Sequence, residues 1–116
     1  MGRLTTHVLD TATGCPAAGL VLHLAALQPE RRQLLTATTN ADGRLDGPLL
    51  EGDALRAGTY ELVFEAAAYH RRTGQKLAEL PFLDEVVIRF AIADPAAHYH
   101  VPLLLSPWSY TTYRGS

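Results

Sequence analysis

Short stretches of alternating apolar and polar residues, cut by clusters of turn formers, run along this chain, and that spacing predicts an all-β sandwich or barrel. Leu4-Thr5-Thr6-His7-Val8-Leu9-Asp10 alternates and is rich in β-branched residues, so it reads as a first strand. It stops at the turn-rich Thr11-Ala12-Thr13-Gly14-Cys15-Pro16. Residues 20–24 carry apolar side chains at even positions, and residues 33–39 read as a third strand. Asn40-Ala41-Asp42-Gly43 ends that strand as a tight turn with Arg44 just beyond it. Further strands are expected at residues 58–64, 82–83, 85–90, 98–105 and 108–113, with turns at Asp94-Pro95 and Ser106-Pro107. The rhythm breaks at Ala66-Ala67-Ala68-Tyr69-His70-Arg71-Arg72, where good helix formers closed by Thr73-Gly74 favour one short helix. About eight short strands and one helix make a two-sheet β-sandwich.

Composition narrows the picture. With 116 residues, the chain reads as a single domain over residues 1–116, and 47% hydrophobic with 19% charged residues is ordinary for a folded globule. A net charge of -2 without any basic stripe argues against a nucleic-acid partner. No apolar run approaches the ~20 residues that span a bilayer, and the N-terminus lacks the apolar segment of a signal peptide. The lone Cys15 excludes an internal disulfide framework and fits a reducing compartment, its bland reading being a packed thiol rather than a nucleophile. A soluble, cytoplasmic protein is the expectation.

Candidate chemistry centres on histidine. Strand alternation puts His98 and His100 on one face with Pro102 and Leu104. Three readings compete for the pair: solvated surface residues, two ligands of a metal site with His7 as a third, or proton transfer near neutral pH. No cysteine cluster or HExxH motif supports metal. Arg44 is by default a solvated turn residue, and functionally a fork of donors for a planar, carbonyl-rich or anionic substrate. Tyr113-Arg114-Gly115-Ser116 would ordinarily fray, yet it follows a β-rich segment with no linker, and Tyr113 is costly to leave loose. Ser106 sits outside any nucleophile-elbow context, and no glycine-rich phosphate loop is present.

The opening Leu4 to Asp10 with Gly14-Cys15-Pro16-Ala17, the segment Thr39-Asn40-Ala41-Asp42-Gly43-Arg44, and the closing His98-Tyr99-His100-Val101-Pro102-Leu103-Leu104-Leu105-Ser106-Pro107 followed by residues 108–116 together resemble the 5-hydroxyisourate hydrolases, transthyretin-related proteins of purine catabolism. The terminal Tyr-Arg-Gly-Ser is the most specific piece and is absent from transthyretin itself. The resemblance spans the whole chain. It implies a transthyretin-like sandwich and hydrolytic ring opening of 5-hydroxyisourate to 2-oxo-4-hydroxy-4-carboxy-5-ureidoimidazoline in urate degradation, with no cofactor or metal. It implies catalytic roles for His7, Arg44, His98 and His100, and substrate contacts from His7, Arg44, Tyr113, Arg114, Gly115 and Ser116. It further implies a homotetramer, a dimer of dimers with sites between the dimers. Alternation sends Tyr113 and Gly115 one way and Arg114 and Ser116 the other, so a bend at Gly115 is expected if all four are to meet one site. Tyr113 is the better candidate for direct contact. The rival reading is a transthyretin-like carrier of thyroid hormone or another aromatic ligand.

Overall fold

Two sheets face each other across a shared apolar layer in the computed structural model, which describes residues 1–116. The strands are β1 (Arg3–Asp10), β2 (Cys15–Pro16), β3 (Val21–Ala26), β4 (Arg32–Thr38), β5 (Leu50–Glu51), β6 (Gly58–Phe64), β7 (Val86–Ile92), β8 (His98–Leu105) and β9 (Tyr110–Thr112). A single 3-10 turn spans Gly52–Ala54, and the one α-helix, α1, spans Ala66–Arg72. The first sheet runs β2-β1-β8-β9 with β5 added beside β1, and the second runs β4-β3-β6-β7. No helix is long and apolar enough to cross a membrane.

Alternation does most of the sorting. In β1 the side chains of Leu4, Thr6, Val8 and Asp10 point inward and are buried, while Arg3, Thr5, His7 and Leu9 point outward. Val101, Leu103 and Leu105 do the same for β8, and they meet Leu22, Leu24, Leu62, Phe64 and Ile92 of the opposing sheet in the core. The strands β1 and β8 pair in parallel, so Arg3, Thr5 and His7 stand opposite His98, His100 and Pro102. That register assembles the outer face on which the candidate chemistry lies.

The expected helix is present at the bounds the alanine run implied. Phe82-Leu83 is not a strand: Phe82 is 71% exposed in an irregular stretch leading to β7. The expected last strand is shorter, because Ser106-Pro107-Trp108-Ser109 folds as a turn in which the Ser106 hydroxyl accepts hydrogen bonds from the Trp108 and Ser109 amides. The two-residue pairs β2 and β5 went unforeseen, since two residues carry no periodicity.

Polar groups inside the sandwich mark where it is pinned. Asp10 is fully buried at the end of β1, where its carboxylate accepts from the Ala12 and Thr13 amides and, at 2.8 Å, from the Tyr69 hydroxyl of α1. These bonds tie helix to sheet and satisfy a charge that would otherwise be costly to bury. Beside it His70 is fully buried, with neither ring nitrogen bonded to a protein group. Burial pushes its proton affinity below the ordinary 6.5, although the Asp10 charge and the Ser106 backbone pull the other way. An unfolded His70 therefore binds protons that the folded one refuses, and stability falls as pH drops through and below 6.5. Urea midpoints measured between about pH 7.5 and 5.5 should decline, and His70→Leu should flatten part of that decline. An equal slope in the variant would show that His70 is not a source of it.

Candidate active site

Arg44 reaches the outer face through a turn that local chemistry dictates. The Asn40 side-chain oxygen accepts from the Asp42 and Arg44 amides, the Asn40 amide donates to the Arg44 carbonyl, and the Asn40 Nδ2 donates to Asp46. Gly43 occupies φ +74°, and a Cβ there would lie 2.3 Å from the Val8 carbonyl oxygen, so only glycine lets the turn press against β1. The Val8 amide donates to the Gly43 carbonyl at 2.8 Å, and Arg44 forms a bridge with His7. A residue 37 positions away along the chain (44 - 7) is thereby brought alongside the first histidine.

A cleft of about 470 Å³ opens on this face, within the range of small-molecule sites. Arg44, His98, His100 and Ser116 line it, joined by Arg3, Thr5 and Asp46. His100 is half-buried, and its Nδ1 lies 2.8 Å from the Thr5 hydroxyl. Its pKa is driven below 6.5 first by burial, then by the positive charge of Arg44 and by His7. Each of these disfavours a second proton on the ring, so His100 is neutral at pH 7. His98 is exposed, one register step along β8 and opposite Arg3. His7 is half-buried beside the cleft, near enough to influence His100. No three ligand-type side chains converge closely enough to share a metal ion.

The tail is ordered against β8. Leu103 pairs with Thr112 and His100 with Gly115, the same register over three residues on each strand. Tyr113 thus falls opposite Pro102, 60% exposed and outside the single-chain cleft. Arg114 turns away, its guanidinium 4.5 Å over the Tyr99 ring and one nitrogen donating to the His98 carbonyl at 3.3 Å. The bend expected at Gly115 does not form, since Gly115 keeps pairing register and has no positive φ. Its lack of a side chain serves another end: a Cβ there would sit 3.1 Å from the His100 ring. Ser116 reaches the cleft nonetheless. Sequence reasoning overlooked Thr5, Arg3 and Asp46. Alternation alone places Arg3 and Thr5 on the face of His7, whereas Asp46 follows an irregular loop with no periodic signal.

Comparison with known proteins gives consistent matches. The model of the HIUase/Transthyretin family matches residues 4–115. The chain is 60% identical to "5-hydroxyisourate hydrolase 2" of Rhizobium meliloti, over 99% of this chain and 97% of that protein. The structure of Klebsiella pneumoniae 5-hydroxyisourate hydrolase superposes with a TM-score of 0.82 at 35% identity, covering all of both chains. An (S)-allantoin synthase structure superposes with a TM-score of 0.95 at 47% identity, over 99% of this chain but only 44% of that longer one.

The electrostatics of the cleft can be checked without a substrate. Replacing Arg44 by Met removes the repelling cation, so the His100 pKa should rise towards 6.5 in an NMR titration. An unmoved midpoint would separate Arg44 from His100 electrostatically.

Proposed function

This chain belongs to the HIUase/transthyretin family, and from that premise we propose that it hydrolyses 5-hydroxyisourate in the cleft between Arg44, His98 and His100. The observation that carries this reading is a neutral His100 within the field of a cation, Arg44, and beside a second imidazole, His7. Such a cluster supplies at one place what ring opening needs: a proton acceptor for water and donors for the oxygen that becomes negative.

In the proposed step, His7 or His98 takes a proton from water as its oxygen bonds to the ring carbonyl carbon. Negative charge collects on the carbonyl oxygen, where His100 or Tyr113 donates a hydrogen bond. Arg44 orients the substrate and shares that charge through its planar fork of donors. Collapse restores the carbonyl, breaks the ring carbon–nitrogen bond and returns the proton to the departing nitrogen. The product is 2-oxo-4-hydroxy-4-carboxy-5-ureidoimidazoline. Ser116 closes one side of the site, while Arg114 acts through the packing of the tail.

We assign the working form to a homotetramer, a dimer of dimers with the clefts facing each other across the dimer–dimer interface. Half-buried Leu9 and Leu104 and exposed Tyr113 lie further along the same outer sheet face, and covering that face with a second copy would exclude water and bring Tyr113 to the substrate. The free, exposed Cys15 suits a reducing cytoplasm. A carrier of aromatic hormones fits less well, because only two of the twelve lining residues are hydrophobic.

The test generates 5-hydroxyisourate from urate with urate oxidase and follows the loss of its ultraviolet absorbance. The wild-type protein should accelerate decay far beyond the spontaneous rate, and His7→Ala or Arg44→Ala should each lower kcat/KM by about a hundredfold or more. Decay at the spontaneous rate with folded wild-type protein would refute the hydrolase. Sedimentation velocity should return a four-chain species, and a monomer would refute the assembly.

A further inference from the structure

Thr5 is the one cleft residue whose side chain is bonded directly to a candidate catalytic group, yet it has no place in the scheme above. It stands opposite His100 in the parallel pairing of β1 and β8, and both side chains face outward. Oγ1 of Thr5 lies 2.8 Å from Nδ1 of His100. That contact leaves two possibilities, because a neutral imidazole has one donor and one acceptor nitrogen and a hydroxyl can play either part.

The surroundings favour one of them. The Thr5 hydroxyl carries one proton, and Nδ1 is its only partner among the protein groups. A proton on Nδ1 would leave the hydroxyl proton of Thr5 with no protein acceptor, whereas a bare Nδ1 takes it. The ring is also gripped from its other edge. Gly115 runs beneath it, its amide donating to the His100 carbonyl at 2.7 Å, and a Cβ there would stand 3.1 Å from Cδ2. Thr5 on the Nδ1 side and the bare Gly115 backbone on the Cδ2 side leave Nε2 as the nitrogen free of protein partners in a residue that lines the cleft.

We propose that Thr5 is a positioning residue: its hydroxyl donates to Nδ1 of His100 and thereby holds that ring as the tautomer with its proton on Nε2. This rests on the hydrolase reading for its purpose but not for its geometry. A ring so held is a hydrogen-bond donor to the cleft. It cannot be the base that activates water, so that task falls to His7 or His98, and His100 supports the oxygen that becomes negative.

The experiment reads the tautomer directly. In protein labelled with nitrogen-15, long-range proton–nitrogen correlations of the imidazole distinguish a proton on Nε2 from one on Nδ1, and His100→Gln identifies the His100 signals. Wild-type protein near neutral pH should show His100 protonated on Nε2. Thr5→Val, which keeps the β-branched shape and removes the hydroxyl, should shift His100 towards a mixture of tautomers, and Thr5→Ser should restore the single form. With 5-hydroxyisourate, Thr5→Val should lower kcat by up to about a hundredfold with little change in KM, and Thr5→Ser should recover most of the loss. A wild-type His100 protonated on Nδ1 overturns the proposal, as does a folded Thr5→Val with unchanged tautomer and kcat. Failure of the wild-type protein to hydrolyse 5-hydroxyisourate would refute the functional reading alone, since the tautomer is read without substrate. Should Thr5→Val fail to fold, the wild-type spectrum and Thr5→Ser still decide the matter.

Discussion

The parallel pairing of β1 with β8 is the constraint on which the rest of this molecule depends. It joins the two ends of the chain over eight register partners, from Arg3 opposite His98 to Asp10 opposite Leu105. Inward, it delivers Leu4, Val8, Val101 and Leu103 to the core. Outward, it delivers Thr5 and His7 to the face of His98 and His100. A slip of one residue would exchange the two sets, burying imidazoles and exposing leucines, so the packing of the sandwich enforces the geometry of the cleft. The core and the candidate chemistry are two faces of one pairing.

Two further devices complete the arrangement, and both rest on β1 or β8. The Asn40–Gly43 turn presses against the Val8 backbone and brings Arg44 beside His7. The tail pairs with β8 and seats the Gly115 backbone under the His100 ring, with Ser116 beyond it. Burial, and after it the guanidinium of Arg44, lowers the affinity of the His100 ring for a second proton and keeps that ring neutral near pH 7. Arg114, close by in sequence, anchors the tail by stacking on Tyr99.

Much of this was legible from residue order, and the reason differs by element. Gly58–Phe64, Ala66–Arg72 and His98–Leu105 were read at their observed limits because each carries a clear signal: apolar and aromatic runs next to turn formers in the strands, and three alanines closed by Thr73-Gly74 in the helix. β2 and β5 were illegible because two-residue pairings arise from tertiary contact. Of the eight residues singled out for the site, Arg44, His98, His100 and Ser116 line one cleft in the isolated chain, with His7 adjoining. No spacing rule relates positions 7, 44 and 100; their grouping was suggested by family resemblance and comes about through the sheet register and the glycine turn. Thr5 was on the correct face by alternation alone, but a threonine in a strand attracts no notice until its partner across the pair is known. For Gly115 the sequence suggested flexibility, whereas its use is close approach to a ring.

The central claim is that a histidine base, His7 or His98, hydrolyses 5-hydroxyisourate beside Arg44 and a His100 kept neutral by burial and by Arg44. The most direct measurement is the pH dependence of kcat/KM for that substrate, corrected for spontaneous decay. The account expects a rate that falls as the pH is lowered from neutrality towards about pH 5.5, because a protonated base can no longer take a proton from water. A rate that climbs as pH falls through that range would mean that the protonated histidines are the active form, and would contradict the account.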